Sequence, residues 1–131
     1  MNAYAYMLKV MTETRSPSEV AGAIAEDVRT LVYLTGAGGS VEFEYPNDLY
    51  GVFGELRTAA QRLPQLFGQM ARWLGDEYAA GRVGHVSGGA AGEYVQAVTE
   101  ALGRASLDAE TLTAALESAH DASSGLTGES A

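Results

Sequence analysis

The chain contains no cysteine, three prolines, two histidines, and eight lysine and arginine residues against 17 aspartates and glutamates. Each shortage removes a class of function. Without cysteine there is no disulfide frame, no thiolate metal site and no cysteine nucleophile. The formal net charge of −9 leaves no clustered positive charge of the kind a phosphate-backbone binder needs, so direct nucleic-acid binding is not expected. No apolar run approaches the roughly 18 residues of a membrane span. Residues 1–11, MNAYAYMLKVM, have no basic segment followed by an apolar core and cleavage site. A cytoplasmic location is therefore the expectation.

What is present fits a folded protein. The 131 residues are 47% hydrophobic, which suits one domain over residues 1–126 with a flexible tail at 127–131. Seven of the eight basic residues are arginine, and alanine and glycine abound, a usage that suggests a high-GC bacterium. The charge is uneven. Residues 91–131 hold Arg104 alone against seven carboxylates. Such a run is either the solvated side of a helix or an acidic surface presented to a basic partner. Glu93, Glu100, Glu110 and Glu117 are the candidates for that face.

Residues 1–46 read as a strand–helix–strand block. Tyr4, Tyr6, Leu8 and Val10 alternate with Ala5, Met7, Lys9 and Met11, which predicts a strand of period two, with helix as the alternative. Ser16-Pro17-Ser18-Glu19 is a helix start, with a capping hydroxyl, proline at the first helical position and glutamate three residues on. Val20, Ile24, Val28 and Leu31 then hold one apolar face up to the breaker Gly36-Ala37-Gly38-Gly39. Val41, Phe43 and Tyr45 alternate with Glu42 and Glu44 as a short strand ended by Pro46. A β-hairpin pairing residues 30–34 with 41–45 is the competing parse, and the helix is preferred.

Residues 47–126 read as a long antiparallel helical hairpin. Leu49, Phe53, Leu56, Ala60, Leu63, Phe67, Met70 and Leu74 fall at alternating steps of four and three, a heptad seam. Val52, Ala59, Leu66 and Trp73 follow seven apart beside it, and a face this wide must touch more than one neighbour. Asn47 or Asp48 is positioned to cap the start, and Pro64 to kink the interior. A Gly-rich loop over residues 81–90 turns the chain. The second seam runs Ala91, Val95, Val98, Leu102, Ala105, Ala109, Leu112, Leu116, Ala119, Ser123 and Leu126, passing Ser106-Leu107-Asp108 without a slip. Folding at the loop pairs Leu74 with Val95, Met70 with Val98, Phe67 with Leu102 and Leu56 with Leu112.

Chemistry is sparse. His85 falls in the loop and His120 near the end of the second helix, with no HxH, HxxE or HExxH spacing to converge on a metal. Gly36-Ala37-Gly38-Gly39-Ser40 lacks the Gly-Lys-Ser/Thr ending of a phosphate loop, and Gly88-Gly89-Ala90-Ala91-Gly92 is followed by Glu93, which would repel an anion. Glu42 and Glu44 share one strand face but read as its solvated side. Five of the seven tyrosines lie at positions 4, 6, 33, 45 and 50, either an aromatic interaction surface or core-edge packing, and packing is preferred. No cofactor, metal or small-molecule site is expected, and no enzymatic activity.

Trp73-Leu74-Gly75 near the end of one long helix, followed by a turn and a second helix, is similar in outline to the WXG100 family. The resemblance covers residues 47–126 and implies a small helical hairpin, exported by a specialised system and paired as a dimer. The departures are some 45 extra residues in front, a Gly-rich loop later than the family places it, and no acidic residue four positions after Tyr78 or Tyr94.

The fold class expected is mainly α, a coiled-coil-like hairpin with a small N-terminal α+β block covering part of its broad apolar face. The function expected is a non-enzymatic protein–protein interaction or structural module, homodimeric through the Val52/Ala59/Leu66/Trp73 stripe. The alternatives are an acidic inhibitor or nucleic-acid mimic held by a basic partner, and a WXG100-like protein.

Overall fold

A computed structural model describes residues 2–36 and 43–128. Among them the chain forms four helices and no strand: α1 (Ala3–Thr14), α2 (Pro17–Thr35), α3 (Asp48–Ala79) and α4 (Gly92–Ser123). It divides into two compact units, Met1–Phe43 and Glu44–Ala131, and each is described by itself.

The first unit corrects the expected strand–helix–strand block. Residues 4–10, expected as a strand, lie inside α1. The alternation there is illusory, because Ala5 and Met7 between the larger side chains are themselves apolar. Alanine, leucine, methionine and lysine all favour helix. Asn2 starts it: its Oδ1 accepts the Ala5 N–H at 2.7 Å, using one of the orphan donors of the first turn. The second expected strand also fails. Val41 and Glu42 lie outside the described residues, and Phe43, Glu44 and Tyr45 carry no regular structure.

The preferred parse of α2 is observed. Ser16 Oγ accepts the Glu19 N–H at 3.2 Å with Pro17 at the first helical position, and the helix continues to Thr35 through the residues of the competing hairpin. It ends at Gly36, whose N–H bonds the Tyr33 carbonyl. No residue of α2 is buried, so Ile24, Val28 and Val32 leave their apolar faces exposed. Among the described residues, α1 and α2 make no packing contact with each other.

The second unit is the helical hairpin. Neither Asn47 nor Asp48 caps α3 with a side-chain bond to its own first turn. Asp48 reaches backwards instead: its Oδ2 accepts the N–H groups of Glu44 at 2.8 Å and Tyr45 at 3.0 Å. These backbone hydrogen bonds, Tyr45 first, hold its carboxyl below the usual carboxylate range. Helix α3 runs unbroken through Pro64.

Its C-terminus closes as a Schellman turn. Arg82 N–H bonds the Glu77 carbonyl and Gly81 N–H the Tyr78 carbonyl, both at 3.0 Å. Gly81 has φ 76°, a left-handed value that glycine adopts without strain. The Arg82 guanidinium then grips the Glu77 carboxylate through two hydrogen bonds, at 2.7 and 3.0 Å. That grip lowers the Glu77 pKa and raises that of Arg82.

Helix α4 is continuous from Gly92 to Ser123, passing Ser106-Leu107-Asp108 as expected. It packs against α3. The stagger is fixed at both ends. The Tyr50 ring stacks on His120 with centroids 4.0 Å apart, and Gly92 faces the Tyr78 hydroxyl, which would stand 2.6 Å from any Cβ placed there.

The buried residues are small: Ala60, Ala91, Val95, Ala109 and Ser123. The α3 seam is half-buried or buried except at Met70. On α4 the expected seam holds at eight of its eleven positions, with Ala91 buried and Ala105 and Ala119 half-buried among them. Val95, Leu102, Ala109, Leu116 and Ser123 face inward, but Val98, Leu112 and Leu126 are exposed. Their places are taken by half-buried Thr99, Ser106, Thr113 and His120. The reason is local bonding. Ser106 Oγ donates to the Leu102 carbonyl at 3.0 Å and Thr113 Oγ1 to the Ala109 carbonyl at 2.7 Å. A hydroxyl satisfied by its own helix enters a helix contact with its methyl or methylene outermost, at little desolvation cost.

Two glycines of α3 separate propensity from packing. A Cβ on Gly68 meets nothing within 4 Å, whereas one on Gly54 would stand 3.1 Å from Nε2 and 3.3 Å from Cδ2 of His120. Gly68→Ala is expected to stabilise the hairpin by up to about 1 kcal/mol. Gly54→Ala should recover none of that gain, because Tyr50 stacks on the ring that must retreat. Thermal melts of the two variants side by side check the difference.

Candidate interaction surface

Heptad rows give the hairpin two unlike edges. On α3, Tyr50, Arg57 and Tyr78 share one row. On α4, Gly92, Thr99, Ser106, Thr113 and His120 share another. Two contacts join these rows, Tyr50 with His120 and Tyr78 with Gly92, and Arg57 also reaches Glu117 in the next row of α4 at 3.9 Å. This edge is closed, and it is polar. Arg57 Nε and His120 Nδ1 are buried there without a hydrogen-bond partner, with Asp121 Oδ1 standing 3.9 Å from the imidazole.

The other edge is open. Beside the buried central rows lie half-buried Leu49, Leu56 and Leu63 and exposed Met70 on α3, and on α4 buried Ala91, half-buried Ala105 and Ala119, and exposed Val98 and Leu112. Beyond them come Val52, Ala59, Leu66 and Trp73 on α3, and Tyr94, Ala101, Asp108, Ala115 and Ala122 on α4. Of the four residues expected as an interaction stripe, Val52 is half-buried and Ala59, Leu66 and Trp73 are exposed. Trp73 is 65% exposed. Trp73, Leu74 and Gly75 all lie within α3, so the tripeptide does not form the turn.

The sequence reading missed the α4 half of this surface. Val98 and Leu112 were assigned to the interior, yet each is nearly half exposed. The signal that could have found them is the row of Thr99, Ser106, Thr113 and His120, spaced by seven and able to compete for the same contact. At the loop end, Leu74, Val83, Ala91, Tyr94, Val95 and Val98 line a shallow apolar pocket of ≈ 170 Å³. Tyr94 is held in place by His85, whose ring stacks on it at 3.6 Å. His85 Nδ1 in turn meets Ser87 Oγ at 2.7 Å, so the Gly-rich loop carries its own hydrogen bonds.

Glu93, Glu100, Glu110 and Glu117 are all exposed. By heptad position they occupy the two rows beyond the closed edge, on the opposite side from the open apolar face. Glu117 approaches Arg57, and Glu100 accepts from Gln96 at 3.0 Å. Among the described residues, no three histidine, aspartate or glutamate side chains are grouped to hold a metal ion, and no helix is long and apolar enough to cross a membrane. No protein-family model, curated protein or solved structure matches the chain at a significant level.

Proposed function

We propose that this protein is a non-enzymatic interaction module that associates with itself through helical faces. The observation that carries the reading is the open edge. Leu66, Met70, Trp73, Val98 and Leu112 are all large, apolar and exposed on one side of a hairpin whose buried residues, Ala60, Ala91, Val95, Ala109 and Ser123, are all small. A two-layer core needs a layer on each side of its apolar surface, and two helices alone supply only one. Light scattering on a size-exclusion column at micromolar concentration is expected to give twice the chain mass, at low and at high salt. A strictly monomeric species under both conditions would sink the reading.

A second reading has its own support. The four exposed glutamates beyond the closed edge form the acidic surface that an inhibitor of a basic protein would present. It predicts association with a basic partner that weakens steeply as salt rises, whereas contact through apolar faces persists.

A further inference from the structure

We draw no further inference here: the strongest candidate, the exposed apolar face that Leu66, Met70, Trp73, Val98 and Leu112 form along α3 and α4 with the shallow pocket at its loop end, carries nothing more, because nothing in the structure shows what covers it.

Discussion

Ala109→Asp is expected to unfold the α3–α4 hairpin at room temperature. Ala60 and Ala109 are the most deeply buried alanines, at 3% and 4% exposed. The stagger set by Tyr50 against His120 and Tyr78 against Gly92 brings them to the same level. With so little side chain between them, the helix axes have room to pack toward the short end of the range of about 8–10 Å. An aspartate there is both too large for the gap and charged without a partner. The charge alone costs about 3–5 kcal/mol, a large share of the 5–15 kcal/mol that holds a typical domain together. Circular dichroism at 222 nm should show most of the helical signal lost. Ala109→Ser should keep it, because Ser123 already occupies the same row, buried, with its hydroxyl donating to the His120 carbonyl at 2.9 Å. An aspartate variant that melts with the wild type would show that the alanine contact is not what holds the helices.

The hairpin was legible in the sequence because two independent rules agreed on it. Long heptad seams fixed the helices, and a Gly-rich segment fixed the turn. The start of α2 was legible for the same kind of reason, since Ser16, Pro17 and Glu19 each have one mechanical role at a helix N-terminus. Residues 4–10 were misread because period two and period 3.6 cannot be told apart where almost every residue is apolar. The capping bond from Asn2 decides the matter, and asparagine at position 2 gives no warning of it.

Register on α4 was illegible for a subtler reason. Val98 and Leu112 outrank Thr99 and Thr113 in hydrophobicity, so a seam chosen by apolarity takes the valine and the leucine. The helices choose the side on which small residues permit approach and hydroxyls are satisfied by their own backbone. Leaving the larger apolar residues outside is costly for a lone hairpin and sensible for half of a bundle. The candidate surface was therefore visible as the α3 stripe alone, and its α4 half emerged only once the stagger was fixed by Tyr50, His120, Tyr78 and Gly92.

Trp73 supplies the second large effect and a built-in reporter for it. It is the chain's single tryptophan and projects from the open face. In the dimer its indole is withdrawn from water, so its emission should lie to the blue at high protein concentration and move to the red on dilution. The midpoint of that shift should coincide with the midpoint of the mass change seen by light scattering. Trp73→Ala should raise the dissociation constant about 30-fold or more, as expected for an aromatic anchor worth about 2 kcal/mol or more. The variant's hairpin should still form, because the side chain is largely free of its own chain. Added salt should tighten the wild-type dimer, since it screens the repulsion between two chains of −9 and leaves apolar contact intact. Emission that stays water-like while the mass doubles would place Trp73 outside the interface.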